Sequence, residues 1–324
     1  MAKRAILGIS IFFWIIGAVS GAGKKEAGPA DPAANYPMKP IQVVVSNAPG
    51  GGPDLCARIL GKYLQTELGQ PLVVVNVKGA GGSIGTRQVV DSKPDGYTMN
   101  FYNEGTIFNK VSGVTDFGLE ALDSAGVAGF IDTITIMSQT KKFKTIEEVI
   151  DFAVANPGKL RFGGEMGSYI PSLVATIQKF KNVSIQLVDT GGAGPSISSL
   201  AGGHVDVTCA PIGNIMDYVK SGEFTPLVFL SAERNKTFPE IPTLKSKGVD
   251  YVLPKFFYYA YPKGTPKPII AKFSKALEKV LQNPDCRAEM ERLYYTPFYM
   301  DPDTSTRYFK ESEELFKTYN SYMK

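Results

Sequence analysis

Apolar residues along the chain follow two alternating periods. Short β-branched runs such as Ile41–Val45 are followed by a polar, glycine-rich break and then by a stretch with apolar residues three or four positions apart. In the first of these stretches the apolar positions are Leu55, Ile59, Tyr63 and Leu68. Strands that alternate with helices at this rhythm form parallel sheets with crossover helices. The pattern therefore predicts an α/β protein.

The same pattern runs through the chain twice. Further strands are expected at 72–77, 98–102, 131–137, 160–162, 184–188, 205–210, 227–231 and, in a run rich in Phe and Tyr, 256–261. Helices are expected in the C-terminal tail at about 267–282, 285–293 and 303–322. We interpret this as two α/β units with a final return to the first. Domain I is predicted to comprise 36–135 plus 255–324, and domain II to comprise 136–254.

The first 22 residues have the pattern of a secretory signal peptide. A basic start, Lys3 and Arg4, precedes the apolar run 6–19 and a group of small residues. The apolar run is shorter than the roughly 20 residues that a membrane-spanning helix needs. We therefore expect export to the periplasm or another extracytoplasmic compartment, with cleavage after Ser20 or after Ala22.

The segment 23–35 is predicted to be a flexible tether, because it is polar and has no apolar periodicity. The residues before it resemble a lipoprotein processing site, but Ala22 stands where the lipidated cysteine would be. Lipid anchoring at this position is therefore not possible.

Composition excludes several classes of protein. The chain has 324 residues, of which 44% are hydrophobic and 20% charged, as in an ordinary globular protein. Its formal charge of +4 is spread along the chain, which argues against nucleic-acid binding. One histidine, His204, and three widely spaced cysteines nearly exclude a His/Cys zinc site or a Cys/His catalytic pair. Whether two of the cysteines pair is left open, and we expect no cofactor or metal.

Glycine-rich loops are the main candidate for chemistry. Those at 50–52, 79–83 and 163–168 each lie between a predicted strand and a predicted helix, where ligands bind in open α/β sheets. Helix N-termini attract anions, so two such loops facing each other could hold carboxylates without Lys or Arg. Each loop could instead be only a tight turn. A phosphate-binding loop is disfavoured because no Lys–Ser/Thr pair follows Gly52.

Several motifs, in order, resemble those of the Bug-type receptors, the extracytoplasmic solute-binding proteins of tripartite tricarboxylate transporters. They are YPMKPI (36–41), APGGGPD (48–54), LGQPLVV (68–74), GAGGSIG (79–85), PDGYT (94–98), ANPGKL (155–160), GGHVD (202–206) and PEIPT (239–243). The resemblance covers the chain from Tyr36 to the C-terminus.

This resemblance implies a two-lobed periplasmic-binding-protein fold of the Venus flytrap type, type II, with the ligand in the interdomain cleft. It implies a receptor, not an enzyme, that captures a small carboxylate-bearing solute and delivers it to the membrane permease subunits of the transporter. We expect a monomer that binds no nucleic acid. Two alternatives remain open: a sensor subunit that presents its ligand to a membrane signalling protein, and an exported enzyme on the same fold.

The resemblance also implies the ligand-binding positions. The first loop contributes Asn47, Ala48, Pro49, Gly50, Gly51, Gly52, Pro53 and Asp54. The second contributes Gly163, Gly164, Glu165, Met166, Gly167 and Ser168, and other loops contribute Glu104, Thr106, Asp189, Thr190 and Asn214. Of these, Asp54 is expected to act mainly as a helix-start residue, since a carboxylate there suits the helix dipole.

The chain departs from the family pattern at the second lobe. Asp-Thr-Gly-Gly (189–192) stands where the family often has Pro-Tyr-Lys-Gly, and Ser-Tyr-Ile-Pro (168–171) stands where the second loop usually continues to a histidine. An aromatic group and a cation are thereby lost, while Glu104, Glu165 and Asp189 place acids at mapped positions. We therefore hypothesise a ligand with one carboxylate plus a neutral or amino group.

Overall fold

The computed structural model of the chain describes residues 33–323. The predicted signal peptide, its cleavage site and residues 23–32 of the tether lie outside the described residues. Residues 33–35, the end of the predicted tether, form a turn in which the buried Ala33 accepts hydrogen bonds from Tyr36 N–H and Lys272 Nζ. No helix in the described part has the length and apolar character that crossing a bilayer requires.

Strands and helices alternate along most of the chain. The elements are β1 (Ile41–Val45), α1 (Gly52–Leu68), β2 (Leu72–Asn76), α2 (Ser83–Val90), β3 (Thr98–Asn103), α3 (Gly105–Val111), β4 (Leu122–Phe130), β5 (Ile134–Gln139), α4 (Ile146–Ala155), β6 (Leu160–Gly164), α5 (Ile170–Lys181), β7 (Ile185–Asp189), α6 (Ala193–Ala201), β8 (Val207–Pro211), α7 (Met216–Lys220), β9 (Phe224–Phe229), β10 (Phe256–Pro262), α8 (Lys267–Gln282), α9 (Pro284–Glu291) and α10 (Pro302–Ser321).

The strands form two mixed five-stranded sheets. The first has the order β2-β1-β3-β10-β4, in which β1 is parallel to β2 and β3, while β10 is antiparallel to β3 and β4. The second has the order β7-β6-β8-β5-β9, in which β6 is parallel to β7 and β8, while β5 is antiparallel to β8 and β9. The predicted α/β class is confirmed.

The chain changes from one sheet to the other twice. It leaves the first sheet after Phe130, enters the second at Ile134, and returns between Phe229 and Phe256. The two crossing segments run together, since Ile131 N–H donates to the carbonyl of Lys255 at 2.9 Å. The predicted return at 254/255 falls within the second crossing, whereas the predicted boundary at 135/136 falls inside β5. The division into domains remains a prediction.

Strand β4 was not predicted, and part of the run expected as a strand at 131–137 is a crossing segment. The reason is composition: β4 carries small residues where β-branched ones are usual. Its Gly126 and Gly129 adopt φ values of +128° and +147°. A Cβ on them would lie 2.8 Å from the carbonyl oxygen of Met300 and 2.9 Å from that of Thr296. The segment 296–300 therefore packs its backbone directly on that of β4. The small residues that allow this contact also remove the apolar pattern from which a strand is predicted.

The 256–261 run is a core strand as predicted, and every residue of β10 is buried. Two other predictions differ from the structure in detail. In α1 the buried face holds Cys56, Leu60 and Leu64, one position away from the predicted stripe, and Leu55 is exposed. The short helices α3 and α7 carry too few turns for a periodic signal.

Helix α10 contacts both α3 and the second crossing segment. Phe316 packs edge-on against Phe108 of α3, with ring centroids 6.0 Å apart. Three residues further on, Tyr319 stacks on Tyr251 at 4.3 Å, and its hydroxyl accepts a hydrogen bond from Val252 N–H at 2.8 Å. The C-terminal helix thus fixes the second crossing segment against the first sheet.

Candidate ligand-binding cleft

A cavity of about 760 Å³ lies where loops from both sheets meet. Its lining includes residues that follow the carboxyl ends of β1, β3, β6, β7 and β8. In open α/β sheets this edge is where ligands bind, because helix N-termini and loops gather there. The cavity is therefore the candidate ligand-binding cleft.

Most of the residues predicted for the site line this cavity. They are Asn47, Ala48, Pro49, Gly50, Gly51, Gly52, Pro53, Glu104, Gly164, Glu165, Gly167, Ser168 and Asn214. The remaining predicted residues lie near it but do not line it: Asp54, Thr106, Gly163, Met166, Asp189 and Thr190.

Asp54 holds the first loop in shape. Its buried carboxylate accepts hydrogen bonds from Gly50 N–H at 2.8 Å, Arg58 Nε at 3.0 Å and Asn76 Nδ2 at 3.0 Å. Burial alone would raise the pKa of Asp54, but these hydrogen bonds outweigh it and the pKa is lowered. Asp54 is thus a loop-positioning residue.

The glycines of the first loop bring the backbone to the cavity. Gly50 has a φ of +76°, which favours glycine. A Cβ on Gly51 would lie 2.6 Å from Oδ1 of Asn47, and one on Gly52 would lie 3.4 Å from the Tyr295 hydroxyl. Helix α1 begins here with no side-chain cap. Gly52 N–H, in the first turn, has no acceptor within the helix, and Pro53 has no N–H.

The second sheet contributes two more helix starts. Gly167 and Ser168 precede α5, and the Ser168 hydroxyl donates to the carbonyl of Glu165 at 2.7 Å. Gly192 is the N-cap of α6, again without a side-chain cap, and the cavity lining continues from Gly191 into that helix. The N-termini of α1, α5 and α6 thus converge on one space.

The predicted residues that do not line the cavity have structural partners. The buried hydroxyl of Thr106 lies 2.8 Å from that of Tyr258 in β10. The hydroxyl of Thr190 lies 2.7 Å from that of Ser196, at the start of α6. The exposed Asp189 accepts from Gly191 N–H at 3.2 Å. Gly163 is buried against Val205, and Met166 is half exposed. Apart from the half-exposed Met166, these residues support the loops.

One cation of the cleft was missed by the sequence analysis. Lys255, at the end of the second crossing segment, lines the cavity and places Nζ 2.7 Å from Oε1 of Glu104. The Lys255 side chain is 15% exposed and that of Glu104 is 5% exposed. Lys255 belongs to no glycine loop and to no periodic element, so its sequence context gives no signal for the site.

Three tyrosines of the cleft were also missed, namely Tyr102, Tyr169 and Tyr295. The Tyr102 hydroxyl donates to the carbonyl of Gly81 at 2.9 Å, and that carbonyl also accepts from Asn109 Nδ2 at 2.8 Å. Burial raises the pKa of all three phenols. They remain protonated at neutral pH and can donate hydrogen bonds.

The three cysteines are buried free thiols, which settles the pairing left open above. Cys209 lines the cavity, and burial raises its pKa, so it is an unreactive thiol. His204 is exposed and does not line the cavity. Among residues 33–323 no group of three His, Cys, Asp or Glu side chains could hold a metal ion.

Comparison with known proteins agrees with this geometry. The model of the family described as "Tripartite tricarboxylate transporter family receptor" matches residues 56–318. The chain is 31% identical to Protein BugT of Bordetella pertussis, over 91% of this chain and 93% of the relative.

Solved structures give the same result. The periplasmic binding protein BugD superposes with a TM-score of 0.75 at 25% identity, over 89% of this chain and 98% of BugD. An R. palustris protein, solved with adipate, superposes with a TM-score of 0.79 at 23% identity, over 89% of this chain and 98% of its own. The predicted two-lobed periplasmic-binding-protein fold is confirmed. With its fold, cleft and sequence in agreement, the chain belongs to the tripartite tricarboxylate transporter receptor family.

Proposed function

We propose that this receptor captures a small carboxylate-bearing solute in the cleft between its two sheets. The observation that carries the proposal is the convergence of three helix N-termini, those of α1, α5 and α6, on one cavity. Each presents the positive end of a helix dipole, and the starts of α1 and α6, which have no side-chain cap, also offer backbone N–H groups. The R. palustris protein of similar fold that was solved with adipate, a dicarboxylate, supports an organic acid as the class of ligand.

In this proposal the backbone binds the carboxylate. Gly51 N–H donates to the carbonyl of Ala48 at 3.2 Å, so Gly52 N–H approaches the carboxylate from the first sheet, and the N–H groups of Gly192 and Gly194 approach it from the second. Because donors come from both sides, a bound anion favours the approach of one lobe to the other. Asn214, which also lines the cavity, would bond a polar substituent of the solute.

The receptor would act outside the cytoplasm and hand its solute to the permease subunits of a tripartite tricarboxylate-type transporter. Membership in the receptor family supports this role. The loaded, closed form would be the one that the permease recognises. Uptake of the identified solute by cells with and without the permease genes would separate transport from sensing.

Titration calorimetry of the purified receptor against a panel of small carboxylates tests the proposal. Mass spectrometry of the denatured protein first excludes a co-purified solute. The matched variants are Gly192→Val, on the cavity, and Ala201→Val, at the exposed far end of α6. A Cβ on Gly192 meets no atom within 4 Å, so this substitution changes the cavity and spares the packing.

We expect at least one carboxylate to bind, with Gly192→Val weakening its affinity at least about tenfold, or about 1.4 kcal/mol. Ala201→Val should bind like the wild type. If no carboxylate binds the solute-free protein, or if both variants bind alike, the cleft is not the carboxylate site.

A further inference from the structure

One ion pair lies within the cleft and is incompletely bonded. Glu104 Oε1 accepts from Lys255 Nζ at 2.7 Å, while Oε2 is buried and has no hydrogen-bond partner among the described residues. Within the same residues, Glu104 is the only hydrogen-bond acceptor of Lys255 Nζ. A buried carboxylate oxygen without a donor costs free energy, so the pair has capacity for one more donor.

The backbone fixes both members of the pair. Glu104 directly follows β3 and Lys255 directly precedes β10, and these two strands are neighbours in the first sheet. The carbonyl of Lys255 also accepts from Ile131 N–H in the other crossing segment. The pair is therefore a fixed part of the cavity wall.

The charges around the cavity do not favour a second anionic group. Among residues 33–323, the charged residues that line it are Lys255, Glu104 and Glu165. One lysine against two glutamates gives a net side-chain charge of −1. Because Glu104 already neutralises Lys255, the described part of the lining has no cation free to pair with a second carboxylate. A like charge placed beside a carboxylate costs affinity.

We infer that the Glu104–Lys255 pair selects a solute with a single carboxylate whose other polar end is uncharged and donates a hydrogen bond, and that it disfavours dicarboxylates. This inference rests on the proposed function and refines it. The helix N-termini bind the carboxylate, and the pair meets the other end. Rotation about the last torsion of Glu104, which is soft, turns Oε2 toward a donor such as an amide N–H, and Lys255 Nζ donates to the amide oxygen.

Matched probes test the inference. Each dicarboxylate from succinate to adipate is compared with its own monoamide, which has the same length and one charge fewer, by titration calorimetry on the full receptor. We expect the better-fitting monoamide to bind at least about tenfold more tightly than its diacid. In Glu104→Gln, Lys255 loses its charged partner, and this preference should fall at least about tenfold or reverse.

Two further variants control for other causes. Glu104→Gln with Lys255→Gln removes the pair without leaving an unpaired lysine, so the preference for the monoamide should lie between those of the wild type and of Glu104→Gln. Glu314→Gln makes the same charge change as Glu104→Gln at an exposed ion pair and should leave the preference unchanged. Circular dichroism and thermal unfolding check that each variant folds. If Glu104→Gln does not fold, the inference is tested by whether the wild type binds the monoamide more tightly than its diacid.

The outcomes distinguish a failure of the inference about the ion pair from a failure of the proposed function. If the wild type binds a diacid as tightly as its monoamide, or if a folded Glu104→Gln keeps the wild-type preference, the inference is wrong and the carboxylate receptor stands. If no acid or amide binds any of the proteins, the proposed function fails and the inference fails with it.

Discussion

The glycine-rich loop at 79–85 in the first sheet and the glycines at 167–194, near the starts of α5 and α6 in the second, look alike in sequence but differ in what surrounds them. In the first sheet a Cβ on Gly82 would lie 2.3 Å from the Tyr102 ring, and one on Gly85 would lie 2.7 Å from the carbonyl oxygen of Val77. In the second sheet a Cβ on Gly167, Gly192 or Gly194 would meet nothing within 4 Å. The first set is required by packing. The second set leaves space at the cavity.

This difference shows why a glycine pattern alone cannot locate a site. A small residue is needed where two chains pack closely, and it is also found where the backbone must stay open to a ligand. In the first sheet the close packing at Gly82 and Gly85 fixes the 79–85 loop before any ligand arrives. The open glycines of the second sheet make that lobe the place where substitutions can change ligand choice at little cost in stability.

The largest loss of unfolding free energy is expected for Gly82→Ala. Its φ of +85° and the close Tyr102 ring combine the cost of a left-handed alanine with that of overpacking, about 3 kcal/mol of unfolding free energy together. Urea unfolding followed by circular dichroism measures this. Gly192→Ala, on the opposite lobe, should change the same quantity by less than about 0.5 kcal/mol. Equal losses in the two variants would contradict the distinction between the loops.

Much of this arrangement could be predicted from sequence, and the remainder depends on contacts that sequence spacing does not encode. The alternation of runs and breaks was enough to place most strands and the loops that follow them. Thr106 was mapped to the cleft, yet it faces Tyr258, because β10 inserts between β3 and β4. That insertion brings together residues 152 positions apart.

Lys255 was missed for a related reason. The backbone hydrogen bond from Ile131 N–H brings the end of the second crossing segment to the cavity wall. Local pattern gives the elements, whereas the pairing of distant strands decides which side chains reach the site. The ligand-binding assignments remain predictions. The segment 189–192 lacks the lysine of the family pattern, but Lys255 supplies a cation at another point of the cavity wall.

The next largest change in unfolding free energy is expected for Asp54→Asn, and Asp189→Asn is its comparison. Asp54→Asn removes a buried carboxylate that accepts from Gly50, Arg58 and Asn76, at a cost of about 1–3 kcal/mol near neutral pH. Asp189→Asn changes an exposed carboxylate with one backbone partner and should cost less than about 0.5 kcal/mol. Urea midpoints of both variants give the comparison.

The pH dependence of Asp54→Asn has a defined sign. The pKa of Asp54 is lowered in the folded protein, so its contribution is complete above the unfolded value of about 3.9 and is lost as the pH falls through the folded value. The stability gap between wild type and Asp54→Asn should therefore narrow in acid. A gap that stays constant from neutral pH down to the lowest pH at which both proteins fold would show that the Asp54 charge does not hold the loop.

The smallest change in unfolding free energy, expected for Gly194→Ala, is a gain instead of a loss. Gly194 lies in the first turn of α6, and a Cβ there meets nothing within 4 Å. Alanine restricts the unfolded chain more than glycine does, so Gly194→Ala should stabilise the fold by about 0.4–1 kcal/mol. Because the added methyl group lies at the cavity lining, the same variant should bind the cognate solute more weakly. Thermal unfolding and calorimetry on one protein sample measure both changes. A variant that loses stability would show that the second-lobe loops are packed as tightly as those of the first, whereas a gain in stability with weaker binding would show that this lobe keeps its glycines for the ligand.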